Sequence, residues 1–91
     1  MAEINLTKLE RPIKALANKR RLAMLQYIKR HNEAPVGEIA SALRLSFKAT
    51  SKHLGILVAA DILEREQRSL QVFYRFSPES PSTIRPLLAI L

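Results

Sequence analysis

The stretch from Val36 to Ala60, VGEIASALRLSFKATSKHLGILVAA, predicts two short helices joined by a tight turn. Apolar residues recur at i, i+3, i+4 and i+7 in its first part, at Val36, Ile39, Ala40 and Leu43. Ser46 then offers a side chain suited to an N-cap. A second helical pattern follows, with inward positions at Thr50, Leu54, Leu57 and Val58. Two such helices in succession form a helix-turn-helix.

The outward face of the second helix is basic and free of carboxylates. Its predicted members are Phe47, Lys48, Ser51, Lys52 and Gly55. A second helix with this face is typical of one that lies in the major groove of DNA. Lys48 and Lys52 would contact phosphates or guanine, with Ser51 as a short hydrogen-bonding partner. Phe47 either packs on the turn or contacts a thymine methyl. His53 lies off the main axis of this outward face. We therefore expect it to contact a phosphate or to make an intramolecular hydrogen bond rather than to read a base.

Composition limits the classes of function. The 91 residues carry 15 Lys and Arg against 8 Asp and Glu, a net charge of +7 that favours polyanionic partners but also fits a solvated basic surface. Cysteine is absent, and the two histidines, His31 and His53, fall on separate predicted helices. Because no metal-ligand spacing, glycine-rich loop or nucleophile motif is present, we expect no enzyme, no metal and no cofactor.

The helices before this stretch are also patterned. The first helix has an apolar side formed by Ile4, Leu6, Leu9, Ile13, Leu16 and Ala17. Pro12 indicates that it either begins near Arg11 or runs kinked over residues 6–17. Asn18 suits the N-cap of a second helix, and Asn32 suits a left-handed end to it. The segment 32–35 is interpreted as a break.

A change to alternating periodicity predicts a β-hairpin. Val72, Tyr74 and Phe76 alternate with Gln71, Phe73 and Arg75, and this strand is expected to pair with residues 62–66. The tip, 67–70, lacks Gly and Asn, so we expect a looser loop than a two-residue turn. Asp61, which precedes the hairpin, is expected to adopt positive φ. Three hairpin arginines either face solvent or touch phosphates and the minor groove: Arg65, Arg68 and Arg75.

The C-terminal segment predicts one more helix. After a linker over residues 77–81, Ser82 is expected to cap a helix that runs to Leu91. Its apolar stripe is Ile84, Leu87, Leu88 and Leu91. We expect this stripe to bury against the first helix or against a second copy of the chain, since each large side chain gains about 1.5–3 kcal/mol on burial.

Four segments together resemble the ArsR-type winged-helix repressors of bacteria and archaea. Residues 15–25 resemble the pattern ALxxPxRLxIL, and residues 38–46 resemble ELAxxLGLS. Residues 51–57 resemble SxHLxxL, and residues 72–76 resemble VYYxL. The chain departs from the pattern at Lys19, where proline is usual, and has Arg44, Asp61 and Ser69 where glycine is usual. The resemblance covers roughly residues 13–77 and leaves the expected fold unchanged.

The resemblance implies a mainly α (α+β) winged helix-turn-helix, with about five helices and a two-stranded wing, as a single domain over residues 1–91. It also implies a homodimeric transcriptional regulator that acts as a repressor and binds an inverted-repeat operator in double-stranded DNA. The DNA-binding residues would be Arg44, Ser46, Phe47, Lys48, Ser51, Lys52, His53, Arg65, Arg68 and Arg75. The dimer interface would be Leu6, Leu9, Ile13, Ile84, Leu87, Leu88 and Leu91.

The family's metal sensors hold cysteines on the third helix or His, Asp and Glu on the last. Residues 36–45 have no Cys, and residues 82–91 have no His, Asp or Glu, so the resemblance implies DNA binding without metal sensing. No effector can be named. With no membrane-spanning run or signal peptide, we expect a soluble cytoplasmic protein. Two rival functions stay open: a sequence-independent architectural DNA binder and a winged helix for protein contact.

Overall fold

The computed structural model describes residues 3–91 as helices with a small sheet. The elements in chain order are α1 (Leu6–Leu16), α2 (Lys19–His31), β1 (Glu33–Pro35), α3 (Val36–Leu43), α4 (Phe47–Ala59), β2 (Leu63–Arg68), β3 (Gln71–Phe76), a 3-10 turn (Ser82–Ile84) and α5 (Arg85–Ala89). The predicted winged helix-turn-helix is confirmed. None of the helices in the described part is long and apolar enough to cross a membrane.

The core lies where α2, α3 and α4 pack together and the sheet closes one side. Its fully buried side chains include Met24, Leu25, Ile28, Ile39, Leu54, Leu57 and Ile62. The predicted inward face of α4 is confirmed for Thr50, Leu54 and Leu57, whereas Val58 is half-buried. Thr50 is the polar member of that face, and its hydroxyl donates to the carbonyl of Ser46 at 2.8 Å. No buried hydroxyl is therefore left without a partner at this position.

Asn18 and Ser46 are confirmed as the N-caps of α2 and α4. The Asn18 side chain accepts from the backbone N–H of Arg21 at 3.1 Å, and Ser46 accepts from that of Ala49 at 3.0 Å. Helix α1 begins at Leu6 with Asn5 as its N-cap, so a start near Arg11 is wrong. The helix continues through Pro12, which is buried. Proline there removes one helical hydrogen bond, and its ring is buried together with Ala15 and Leu16.

Among residues 3–91, four residues other than glycine adopt positive φ. Asp61 has φ 61°, as predicted. Asn32 has φ 69° but ψ −43°, so it ends α2 with positive φ outside the predicted left-handed helical region. Arg44 and Ser69, both at φ 56°, occupy positions where the resembled family usually has glycine. The chain thus keeps the left-handed turns without glycine, at a cost of roughly 1–2 kcal/mol for each Cβ in this conformation.

The sheet differs from the predicted wing in two respects. Residues Glu33–Pro35, interpreted as a break, form a third strand, and the order is β1-β3-β2 with both pairings antiparallel. Three residues are too few to show a period, which is why the pattern was missed. The expected loose tip is also wrong. Arg68 pairs with Gln71, leaving Ser69-Leu70 as a two-residue turn, and the positive φ of Ser69 supplies what a type II′ turn needs at its first central position.

The last helix is shorter than predicted. Ser82 begins a 3-10 turn and makes no side-chain cap, and α5 spans only Arg85–Ala89. An α-helix capped by Ser82 would need the N–H of residue 86 to reach the Ser82 carbonyl. Pro86 has no N–H. The helix therefore starts later, with Pro86 in its first turn, where that N–H is not required.

Candidate nucleic-acid interface

Helix α4 presents a basic face to solvent. Phe47 is 62% exposed, and Lys48 and Lys52 are also exposed, as predicted. Ser51 and Gly55 lie on the same side but are half-buried. The 13 residues of α4 contain no Asp or Glu, so neither lysine has a carboxylate partner on its own helix. This face can donate hydrogen bonds and offer apolar contact at once.

The turn before α4 adds two further predicted contacts. Arg44 is exposed at the C-terminal end of α3, where its left-handed backbone ends that helix. Ser46 is exposed, and its hydroxyl oxygen is engaged as the N-cap of α4. Its O–H can still donate because a hydroxyl both accepts and donates. Both residues lie at the N-terminal end of α4, beside the exposed Phe47.

On the wing, two of the three arginines are paired with carboxylates. Arg75 donates to Glu64 at 2.8 Å and to Glu66 at 2.9 Å. Arg68 donates to Glu66 at 2.8 Å and to Glu33 at 2.9 Å. We define these two arginines and three glutamates as the wing cluster. Hydrogen bonds from Arg68 hold the pKa of Glu33 and of Glu66 below its usual range.

The wing cluster changes how the hairpin can meet a polyanion. Three carboxylates outnumber two guanidinium groups, so this face is not basic as a whole. The guanidinium of Arg68 also lies 4.6 Å from the ring centroid of Phe73, which adds a cation–π contact. Arg65 is exposed and takes part in no ion pair among residues 3–91. Arg65 is thus the wing arginine that can meet a phosphate without rearrangement.

His53 makes an intramolecular hydrogen bond, one of its two predicted roles. Its Nδ1 lies 3.1 Å from Nη1 of Arg21, a residue to which sequence reasoning gave no role. Partial burial, followed by the charges of Arg21, Arg20 and Lys52, lowers the pKa of His53. The two residues are 32 positions apart, so no local pattern could have paired them.

A second surface, made by α1 and α5, is apolar. Leu6, Ile13 and Leu87 from the predicted interface are 73%, 49% and 50% exposed, and Ile90 beside them is 80% exposed. Leu9 and Leu91 are half-buried. Ile84 and Leu88, also predicted there, are instead buried in the chain's own core at 1% and 9% exposure. Ile84 lies in the 3-10 turn, which packs against α1.

The same surface contains an apolar cavity of about 340 Å³. It is lined by Ile13, Leu16, Ala17, Leu22, Leu87, Leu88, Ile90 and Leu91. Every lining side chain is aliphatic, so the cavity offers no side-chain hydrogen-bonding group. Residues 3–91 hold no group of three or more His, Asp or Glu side chains placed to bind a metal ion.

A three-helix core followed by a β-hairpin defines the winged helix-turn-helix class. A family model described as a helix-turn-helix domain matches residues 16–66. The arsenic resistance transcriptional regulator ArsR1 of Pseudomonas putida is 37% identical over 75 residues, which cover 82% of this chain and 59% of that protein. The transcriptional activator HlyU of Vibrio cholerae is 37% identical over 76 residues, covering 84% of this chain and 69% of that protein.

Structural comparison agrees with these relatives. The NMR structure of a homodimeric winged helix-turn-helix DNA-binding domain from Mycobacterium bovis, a possible ArsR-family regulator, matches with a TM-score of 0.79 and 27% identity. The match covers 99% of this chain and 85% of that one. The chain belongs to the ArsR/HlyU family of winged helix-turn-helix transcriptional regulators. It spans less than two thirds of the length of the Pseudomonas putida relative.

Proposed function

We propose that the chain is a sequence-specific DNA-binding transcriptional regulator that inserts α4 into the major groove. The observation that carries the proposal is the exposed face of α4, where Phe47, Lys48 and Lys52 stand together on a helix without carboxylates. Base edges in the major groove present acceptors to lysine and methyl groups to apolar side chains. The exposed face offers both kinds of partner.

Different residues serve specificity and affinity in this proposal. Lys48, Ser51 and Lys52 read bases, each good pair contributing about 1–3 kcal/mol of discrimination. Contacts to the phosphate backbone come from the flanking positions, namely Arg44, Ser46, Arg65, Arg68 and Arg75, whereas Nδ1 of His53 is engaged by Arg21. For Arg68 and Arg75, a phosphate contact requires exchange of a glutamate partner, since both are paired in the wing cluster. Arg65 needs no such exchange.

We further propose a homodimer formed through α1 and α5. Leu6, Ile13 and Leu87 supply exposed apolar area on these helices, and the relative from Mycobacterium bovis is described as homodimeric. Two-fold symmetry presents one α4 to each half of an inverted repeat, with half-sites about 34 Å apart. A dimer bound to such a site can repress transcription by occlusion, because it blocks access to the DNA for as long as both recognition helices stay bound.

A gel-shift titration with a duplex selected by the chain from random double-stranded DNA tests the assignment of α4. The double variant Lys48→Ala, Lys52→Ala should lose affinity at least tenfold, the effect of about 1.4 kcal/mol, and should lose preference for the target over random DNA. The double variant Lys8→Ala, Arg30→Ala removes the same charge from exposed positions on α1 and α2. It should keep the preference. Equal losses in both variants would rule out base reading by α4.

A further inference from the structure

The side chain of Arg21 joins three helices at one point. Its Nε donates to the carbonyl of Ala15 at 2.6 Å, and its Nη2 donates to that of Lys14 at 3.3 Å. Its Nη1 lies 3.1 Å from Nδ1 of His53. Arg21 stands in the first turn of α2, the two carbonyls end α1, and His53 lies in the middle of α4. One guanidinium therefore connects the C-terminal end of α1 to the helix proposed to enter DNA.

The chemistry of this contact fixes the protonation state of His53. A guanidinium group has five N–H donors and no acceptor, and it does not lose its proton in proteins. The contact with Arg21 therefore requires a lone pair on Nδ1 of His53. The imidazole must be neutral with its hydrogen on Nε2. When a second proton binds, Nδ1 becomes a donor and faces a donor that carries the same charge.

The surroundings of His53 oppose that second proton. The charged groups that act on it are Arg21 and Arg20 of α2 and Lys52 of its own helix, all cations. From α1, the neighbours of Arg21 are backbone carbonyls, while the side chains of Arg11 and Lys14 line the cavity that Arg21 also lines. No carboxylate of α3 or β2 acts on His53. Protonation thus has no compensating partner near the ring.

We propose that Arg21 and His53 are positioning residues that hold α4 against the end of α1, and that proton uptake by His53 releases α4 and weakens DNA binding. The inference rests on the proposed function, because it concerns the same recognition helix. In a homodimer joined through α1, the angle between α1 and α4 sets the separation of the two recognition helices. A broken Arg21–His53 contact would therefore act on both half-sites.

The sign of the pH dependence separates this role from direct phosphate binding by a charged His53. Fluorescence anisotropy with a labelled duplex, selected by the chain from random double-stranded DNA, measures affinity from pH 7.5 to 5.5 at constant ionic strength. We expect the affinity of the native chain to fall several-fold as the pH decreases. A charged histidine on a phosphate predicts the opposite, a rise in affinity. A rise or a flat profile overturns the proposal.

Two variants make the assignment specific. His53→Gln keeps an acceptor for Arg21 and cannot take up a proton, so its affinity at pH 7.5 should be near that of the native chain and its profile flat. His31→Gln removes the other histidine, whose ring stacks on Tyr27 at 4.0 Å, and should retain the fall. If the loss of DNA affinity at low pH persists in His53→Gln and disappears in His31→Gln, the titrating residue is His31. That result overturns the proposal.

A measurement without DNA keeps this inference distinct from the proposed function. Nitrogen-15 NMR of the imidazole should show Nε2 protonated and Nδ1 unprotonated at pH 7.5. The pKa of His53 should rise in Arg21→Gln, because a positive charge beside the ring is removed. An unchanged pKa in that variant overturns the positioning role. Failure of the native chain to bind any DNA at pH 7.5, with these NMR results as expected, contradicts the proposed function alone.

Discussion

Arg68 reaches across the sheet from β2 to Glu33 on β1, with Nη2 2.9 Å from Oε1. The two strands lie on opposite sides of β3, so this ion pair spans the full width of the sheet. β1 directly precedes α3. The pair therefore ties the wing to the chain segment that enters the helix-turn-helix. It also gives Arg68 a second carboxylate partner beside Glu66, so two carboxylates compete with a phosphate for this arginine.

The first prediction concerns that ion pair. Glu33→Gln removes one charge of the wing cluster and leaves Arg68 with a single carboxylate partner, Glu66. If Arg68 then contacts a phosphate, DNA affinity at low salt should increase, and the slope of log K against log salt should steepen by about one. Glu10→Gln makes the same charge change on the exposed side of α1. Identical slopes in the two variants would show a general charge effect with no role for Arg68.

The second prediction concerns acid stability. Hydrogen bonds from Arg68 lower the pKa of Glu33 and of Glu66 from 4.5 in the folded state. A lowered folded pKa contributes stability that is present above the unfolded pKa and is lost as the pH falls through the folded pKa. The melting temperature should therefore fall below about pH 4.5. The fall should be smaller in the Glu33→Gln, Glu66→Gln variant, and an equal fall would contradict the account.

The third prediction concerns the wing turn. Ser69 holds φ 56° in a two-residue turn, a conformation that glycine adopts without the Cβ penalty. Ser69→Gly should raise the free energy of unfolding by about 0.5–1 kcal/mol, the cost of the left-handed Cβ less the extra entropy of glycine in the unfolded chain. Urea denaturation measures the change. Ser69→Ala keeps the Cβ and should not raise the free energy of unfolding. An increase in both variants would show that the Cβ at positive φ is not the cause.

The fourth prediction concerns the apolar surface of α1 and α5. Leu87 is 50% exposed, so Leu87→Asp should leave the fold intact and weaken a dimer formed through this surface. Sedimentation equilibrium should show a shift toward monomer. Leu70→Asp is the matched control, because Leu70 is 97% exposed at the wing tip, away from α1 and α5. A native dimer in Leu87→Asp would contradict the proposed interface.

Periodicity and capping residues were enough to predict the helix-turn-helix. The inward face of α4 and the cap at Ser46 follow from local rules, and both are found as expected. Local rules failed where a short element depended on a distant partner. β1 has three residues and exists because β3 pairs with it. The two-residue wing turn was missed because its positive φ is adopted by Ser69 and not by glycine.

In the candidate site, too, local features could be predicted from the sequence and contacts between distant residues could not. The exposure of Lys48 and Lys52 follows from their helical spacing relative to Leu54 and Leu57. The pairing of Arg68 with Glu33 depends on how three strands come together, which composition could not indicate. Arg21 and His53 likewise meet only after α1, α2 and α4 have packed. Non-local ion pairs and hydrogen bonds were therefore what sequence reasoning could not supply.

Selection of binding sites from random double-stranded DNA, followed by sequencing, tests the central claim most directly. The account predicts an enriched inverted repeat, with half-sites about 10 base pairs apart between centres. The enrichment should disappear with the Lys48→Ala, Lys52→Ala variant. Binding without any enriched sequence, lost steeply between about 50 and 200 mM salt, would mark a sequence-independent DNA binder and contradict the claim. An absence of DNA binding at low salt would contradict it as well, and would favour a winged helix that binds an acidic protein.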